Sequence, residues 1–334
     1  KATPPEMIMP LCLGKKSIII GDHRQLPPML HEKALREALE EYGGERGKVL
    51  AEEIDKEFVE TSQFERLIMN PVIHESVKAT FNVQYRMHPH INDVIRQFYL
   101  DEGGSEPGLE PDKVDLPDLS EPQSRYHGFY LDGFISPDIH TIWIDVKEPE
   151  TQDGTSRHNL AEVDAIRCVL KCLHKSKGFQ AYQNYWNKSF KDPVQRRQEQ
   201  EIGLISFYGS QVKQIKENVK LYAERELDIP IRLNSVDKFQ GMERNIIIVS
   251  TVRSDRKNIS KSKVEPNGDI GFARSPKRLN VALSRARRLL IVVGNKDFFS
   301  QFRIHGLPIY KNVIEQIAQK GKIISYSELK ELSL

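Results

Sequence analysis

Residues 235–252 run Ser235-Val-Asp-Lys-Phe-Gln-Gly-Met-Glu-Arg-Asn-Ile-Ile-Ile-Val-Ser-Thr-Val252. The second part, Ile246 to Val252, is mostly apolar and does not alternate with polar residues. A strand buried on both faces reads this way, and such strands belong to parallel sheets covered by helices. The first part sets Gly241 where backbone can approach a ligand closely. Gln240 and Glu243 flank it as hydrogen-bonding groups. A single Gly among polar neighbours is also an ordinary turn.

Four more apolar runs repeat the signal: Ser17 to Ile20, His140 to Val146, Ile202 to Phe207 and Leu289 to Val293. Helical patterns lie between them, as at Leu160 to His174 and Gly209 to Ala223. Alternating strand and helix predicts an α/β, doubly wound, mostly parallel sheet with helices on both faces. Three stretches break the rhythm. Asp101 to Gln123 is acidic and carries Pro107, Pro111, Pro117 and Pro122, a loop-like composition. Lys175 to Glu201 is polar, basic and aromatic. Arg253 to Pro276 carries Lys257, Lys261 and Lys263 with Gly268 and Gly271, and reads as a surface loop. No internal repeat is visible.

The 334 residues are 39% hydrophobic and 29% charged, ordinary for a soluble globular chain. A net charge of +2 does not by itself point to nucleic acid, so any basic footprint is local. Three cysteines exclude a disulfide framework and fit a reducing compartment. Cys168 and Cys172, with His174 close by, read as core side chains more readily than as ligands. No metal-ligand set is assigned from the sequence. No run reaches the ~18 apolar residues a membrane span needs. Without a visible signal peptide, the cytoplasm is expected, or the nucleus in a eukaryote. The triplets Asn187 to Ser189 and Asn258 to Ser260 then read as chance matches to a glycosylation site. Lys1-Ala-Thr-Pro-Pro5 lacks an initiator Met and leads almost at once into an apolar run, the pattern of a piece of something longer.

Three further segments carry chemistry. In Ile18-Ile-Ile-Gly-Asp-His-Arg-Gln-Leu-Pro-Pro28, Asp22 and Gln25 follow an apolar run, at the edge where open α/β sheets bind ligands. A strand followed by Gly-Asp is also a common turn. In Val83-Gln-Tyr-Arg-Met-His-Pro89, Tyr85 offers a flat face for a base and Arg86 a planar fork for phosphate oxygens. A surface Arg beside a core Tyr is the plain alternative. In Arg278-Leu-Asn-Val-Ala-Leu-Ser-Arg-Ala-Arg287, Leu279, Ala282, Leu283 and Ala286 make one packed helix face. On such a helix Arg285 and Arg287 point about 200° apart, so one is expected to meet phosphate and the other to serve structure or nucleic acid.

In this order and at these separations the four segments resemble the later motifs of superfamily I helicases, in particular the Upf-like group that includes Senataxin. Gly-Asp-x-x-Gln-Leu resembles that family's third motif, Gln-Tyr-Arg-Met-His-Pro its fourth, Val-Asp-x-Phe-Gln-Gly-x-Glu its fifth and Arg-Leu-Asn-Val-Ala-Leu-x-Arg-Ala-Arg its sixth. Phe64-Glu-Arg-Leu67, Ser156-x-x-Asn-x-x-Glu162 and Ile205-x-x-Tyr-x-x-Gln211 are shorter echoes between them. The resemblance spans about residues 1–300.

It implies a remnant of a first RecA-like domain over 1–75. A second RecA-like domain would cover 76–310, with insertions near 101–128, 175–201 and 253–276, and a C-terminal helical tail 311–334. It implies that Gln25 senses the γ-phosphate, that Arg86 and Arg285 are arginine fingers, and that Tyr85 lies against adenine. Gln240, Gly241 and Glu243 would meet the nucleotide's phosphates and ribose, and Asp22 belongs to the same nucleotide-binding set. Ser284 and Asn245 stand where the family commonly has Thr and Asp.

One family feature is absent from the sequence, the phosphate loop G-x-x-x-x-G-K-[ST]. Gly14-Lys-Lys-Ser17 lacks the first Gly and precedes the apolar run. The family's Asp-Glu pair for Mg²⁺ is likewise not found; Asp101-Glu102 opens an acidic loop. The expectation is part of an ATP- and Mg²⁺-dependent helicase or translocase acting on single-stranded or duplex DNA or RNA. Its N-terminal RecA-like half would lie outside these residues, and the chain alone would be inactive. The alternative is a non-catalytic nucleic-acid-binding or motor-partner protein. For strand contact, Phe179, Tyr182, Tyr185, Trp186 and Phe190 lie among Lys175, Lys177, Lys188, Lys191, Arg196 and Arg197. Rings interleaved with cations suit single strands, so Trp186, Lys188 and Arg197 are the candidates. The same composition fits an amphipathic helix covering a core.

Overall fold

The computed structural model describes residues 4–28, 32–53, 61–254 and 270–334. The chain divides into two compact units, Lys1–Thr80 and Phe81–Leu334.

In the first unit the described elements are helices Pro4–Leu13, Glu32–Tyr42, Gly44–Glu53 and Gln63–Ile68, with a single 3-10 turn at Glu75–Val77. The apolar run Ser17 to Ile20, expected as a strand, is irregular, and Ile18 and Ile20 are 91% and 84% exposed. The reason is physical. A strand exists through its ladder with a neighbour, and no described residue of this unit forms one.

The second unit is built on a six-stranded sheet. Its strands are β1 (Thr141–Asp145), β2 (Ile202–Ser206), β3 (Ile231–Ser235), β4 (Arg244–Ser250), β5 (Ala286–Gly294) and β6 (Lys322–Ser325). The order is β6-β1-β5-β4-β2-β3, and every pairing is parallel. Ile142, Ile291, Ile248, Leu204 and Leu233 stand side by side across it. The four central strands are buried almost throughout, whereas the edges β3 and β6 are half-exposed. Double burial produces the unbroken apolar runs seen in the sequence. The edge strands carry polar residues, as in Ile231-Arg-Leu-Asn-Ser235 and Lys322-Ile-Ile-Ser325, which hid them.

Helices of this unit are α1 (Pro89–Ile95), α2 (Leu160–Lys175), α3 (Phe179–Ser189), α4 (Pro193–Gln200), α5 (Gly209–Ile215), α6 (Val236–Phe239), α7 (Pro276–Leu283), α8 (Ile309–Lys320) and α9 (Tyr326–Ser333). On one face Val163, Ile166, Val169 and Leu173 of α2, with Phe179 and Trp186 of α3, pack on the Ile142–Leu204 row. The opposite face, carrying Trp143, Val292 and Val249, is covered by α1, α7 and α8. This is the RecA-like α/β fold. The C-terminal stretch, expected as a helical tail, instead adds β6 to the sheet edge between α8 and α9. Lys257, Lys261, Lys263, Gly268 and the Asn258–Ser260 triplet lie outside the described residues. Arg253, expected at the start of a surface loop, is buried and paired with Glu150 at 2.8 Å. Buried Cys168 and Cys172 belong to the core, and burial pushes the Cys172 thiol up to about 12. No described helix is long and apolar enough to cross a membrane.

Candidate functional site

Three of the four segments meet at the amino-terminal edge of the sheet, where β4 and β5 begin. The turn before β4 is fixed by its own sequence. After α6, Gln240 has φ −60° and ψ 136°, Gly241 has φ +83°, and the Met242 amide donates to the Phe239 carbonyl at 3.1 Å. That is a type II turn, whose third residue demands positive φ. A Cβ on Gly241 would meet nothing within 4 Å, so the turn faces open space. Glu243 follows it and the buried Arg244 opens β4.

The Tyr85-Arg86 loop is held from inside by Gln84. Its Oε1 accepts from the Arg86 and Met87 amides at 2.9 and 2.8 Å. Arg125 holds the same loop from below. Its guanidinium donates to the carbonyls of Arg86 (2.7 Å), Tyr85 (2.9 Å), Pro122 (3.0 Å) and Ser124 (2.7 Å). Burial, with Arg287 and Arg288 nearby, pushes the Arg125 guanidinium down to about 10. So held, Tyr85 is 64% exposed. Arg86 reaches across to Glu243, Nε to Oε2, and its Nη1 donates to the Ser284 carbonyl at 3.1 Å.

The third segment departs from the expected helix. α7 ends at Leu283, and Ala286 already pairs with Arg244 across β4 and β5. Arg285 closes the helix end. Its Nε donates to the Val281 carbonyl at 2.9 Å and its Nη2 to the Ser284 hydroxyl at 2.9 Å, with the residue 2% exposed. A basic side chain bonding the last carbonyls of a helix is an ordinary C-cap. Arg287, on the strand instead of the helix, donates to Glu199 at 3.0 Å and stands 3.9 Å from Glu243. The helical angle expected between the two arginines therefore does not apply. Arg287 shares a carboxylate with Arg86, while Arg285 faces inward.

Sequence reasoning did not single out Gln84, Arg125 or Glu199 as parts of this constellation, and it named Arg287 only as one of two arginines serving phosphate, structure or nucleic acid. Gln84 sat inside a quoted motif. Arg125 is an isolated Arg in an irregular stretch and gave no signal.

Asp22 and Gln25 lie in the first unit. The Gln25 carboxamide donates to Asp22 at 2.7 Å, and Asp22 also accepts from the Arg24 amide at 2.9 Å. The local turn is thus organised by Asp22, as Asp side chains do. Gly21 lies under Phe64, where a Cβ would come within 2.7 Å of the ring.

The expected strand-contact patch is not one surface. Trp186 is 5% exposed and packs in the core against Tyr182, Tyr185 and Phe190, with the Arg288 guanidinium 5.4 Å from its ring. It presents no face to a base, because α3 uses its aromatic side to cover the sheet. Lys188 is exposed; Arg197 is tied to Glu201 at 2.7 Å.

A family model described as AAA domain matches residues 59–297. The chain is 28% identical over 329 residues to an uncharacterized ATP-dependent helicase of Methanocaldococcus jannaschii, covering 97% of this chain and 39% of that protein. It is 27% identical over 299 residues to the ATP-dependent helicase NAM7 of Saccharomyces cerevisiae, covering 88% and 24%. It is 29% identical over 341 residues to the ATP-dependent helicase upf1 of Schizosaccharomyces pombe, covering 100% and 29%. The chain therefore spans well under half the length of these relatives. With the motif geometry above, the match places the chain in this AAA domain family, among the Upf-like superfamily I helicases.

Proposed function

We propose that this chain supplies the arginine-bearing side of an ATP site in a motor that couples ATP hydrolysis to movement along DNA or RNA. The observation that carries the reading is the meeting of Arg86, Glu243 and Arg287 at one sheet edge, beside an exposed Tyr85 ring and an open Gly241 turn. A nucleotide entering here finds a flat ring for adenine, backbone it can approach at Gly241, and two guanidiniums for phosphate oxygens. Arginines delivered from a second domain stabilise the charge of phosphoryl transfer. Arg86 stands ready for this. Arg285 joins by turning outward, exchanging the Val281 carbonyl and Ser284 hydroxyl for phosphate oxygens. Gln25, with Asp22 fixing its turn, would couple the γ-phosphate to movement. Gln240 and Glu243 would meet ribose and phosphate.

The sequence holds no G-x-x-x-x-G-K-[ST], so groups outside these 334 residues would cradle the β- and γ-phosphates. Mg²⁺ takes oxygen ligands in octahedral geometry. The metal-type cluster among the described residues is His88, Asp115 and His140, and it does not fit that ion. The nucleic-acid track runs along this motor in the proposal, with Lys188 and Arg197 as backbone contacts and Trp186 excluded.

The test is ATP turnover by the 334-residue chain with and without single-stranded nucleic acid. Background turnover is expected. Robust, nucleic-acid-stimulated turnover that survives Arg86→Ala with Arg285→Ala would overturn the reading.

A further inference from the structure

Arg86 and Arg287 share Glu243 at the nucleotide edge, but not on equal terms. Arg287 lies on β5, and its backbone is fixed because the His88 amide donates to its carbonyl at 2.9 Å. Its guanidinium stands between two carboxylates. Nη1 donates to Glu199, 3.0 Å from Oε1 and 3.3 Å from Oε2. Nε lies 3.9 Å from Glu243 Oε1, near enough for charge but too far for a hydrogen bond. The other Glu243 oxygen, Oε2, accepts from Arg86 Nε. Glu199, Arg287, Glu243 and Arg86 thus form a row of alternating charge.

The resting place of Arg287 is itself held. Asn245 Nδ2 donates to Glu199 Oε2 at 2.7 Å and to the Glu199 carbonyl at 3.0 Å, and Arg288 Nε donates to Asn245 Oδ1 at 3.1 Å. An Asp at 245 could not donate to Glu199 and would set a second negative charge beside it. The Arg287 and Glu199 side chains are each 21% exposed, against 36% for Arg86 and 43% for Glu243. The inner pair is the better shielded, and the outer pair is the looser. Other guanidiniums beside Glu243 are committed. Arg244 is bonded to Glu201 at 2.6 Å, and Arg125 is spent on backbone carbonyls.

We infer that Arg287 is a positioning residue that takes over Glu243 when Arg86 leaves it for a phosphate oxygen. This rests on the proposed nucleotide site. An Arg86 that turns to phosphate strands the Glu243 carboxylate just as a polyanion arrives, and like charges a few ångströms apart repel. A movement of about 1 Å brings Arg287 Nε within the roughly 2.7–2.9 Å of a charge-assisted hydrogen bond. A guanidinium carries five donors in a planar fork, so Nη1 keeps Glu199 while Nε closes on Glu243. Arg86 is thereby released without leaving a bare carboxylate beside the phosphates. Glu199, at the end of α4, limits how far Arg287 travels.

The first test uses the 334-residue chain, with Arg86→Ala standing in for the departed finger. Nitrogen–proton correlation spectra of the arginine Nε–H groups follow the exchange, with the Arg287 signal assigned by its loss in Arg287→Gln. In Arg86→Ala the Arg287 Nε proton should shift downfield and exchange more slowly with water than in wild type. Adding Glu243→Gln should abolish that change. An Arg287 signal that does not move in Arg86→Ala overturns the inference, whatever becomes of the nucleotide reading. The second test is a cycle of kcat in the motor in which the proposal places this chain. Arg287→Gln, which can still donate to Glu199, should lower kcat by about 10–100-fold, the worth of one hydrogen bond to a charged group. In a Glu243→Gln background no charge is stranded, and the same change should alter kcat by no more than about 2-fold. Equal losses in both backgrounds make Arg287 a phosphate contact and overturn the inference, while a full Arg86→Ala loss leaves the nucleotide reading standing. An Arg86→Ala motor that turns over like wild type overturns both.

Discussion

Arg86 and Glu243 are 157 residues apart in sequence and joined by a 2.5 Å ion pair at the sheet edge. Arg287 approaches the other carboxylate oxygen of Glu243 at 3.9 Å. One carboxylate thus sits between two guanidiniums, where the proposed function puts a phosphate oxygen. Both partners of the short pair are more than a third exposed. Exposed pairs contribute about 0–1 kcal/mol, so this one is easily exchanged. Glu243→Gln should lower the melting temperature of the chain by no more than about 4 °C. Thermal unfolding checks this, and a drop beyond about 10 °C would show that the pair is structural.

Arg125 is the opposite case, a buried guanidinium bonded to four carbonyls. Arg125→Ala leaves those acceptors without their donor, and each unsatisfied buried group costs about 1–3 kcal/mol. A loss of roughly 3 kcal/mol or more is expected in urea unfolding. Arg125→Lys should recover only part of it, since an ammonium cannot span the same set. A loss below about 1 kcal/mol for the Ala variant would contradict the role assigned.

These two arginines also show what the sequence could and could not reveal. The central strands were legible because double burial writes continuous apolar runs. The turn at Gly241 was legible because its backbone needs glycine. The run Ser17 to Ile20 misled, because apolar composition states a preference for burial and not the presence of a neighbouring strand. Arg285 and Arg287 were placed on a helix by their apolar spacing. The helix ends at Leu283 because the strand pairing of Ala286 with Arg244 takes over. Arg125 was silent because its partners are backbone carbonyls, which leave no trace in side-chain pattern. Trp186 was misread for a related reason, since aromatic and basic residues on one helix do not say which side faces the sheet.

Glu162 gives a pH prediction. It is fully buried, accepts from the Ser250 hydroxyl at 2.6 Å and the Val252 amide at 2.8 Å, and burial pushes its carboxyl up to about 8. Val252 has φ +74°, a strained value for a β-branched residue, so this carboxyl also pins a strained corner. Between the unfolded value of 4.5 and about 8 the folded chain holds the extra proton. Its stabilising contribution is full below 4.5 and is lost as pH rises through about 8. Comparing urea unfolding of wild type and Glu162→Gln from pH 5 to pH 8.5 should show a smaller decline with pH in the variant. Parallel curves would refute it.

Trp186 separates packing from strand contact. Trp186→Ala should cost about 3–5 kcal/mol through the cavity it leaves. Trp186→Phe, which keeps most of the volume, should leave any affinity of the folded chain for single-stranded nucleic acid unchanged in a salt titration. A clear loss of affinity with unchanged stability would return the indole to the strand path.

The most direct test of the central claim is the ATP turnover of the motor in which the proposal places this chain, carrying Arg86→Ala. The account predicts a fall in kcat of about 10³-fold or more, the size of an arginine-finger contribution, with the melting temperature nearly unchanged because the Glu243 pair is exposed. Turnover within a few-fold of wild type would contradict it.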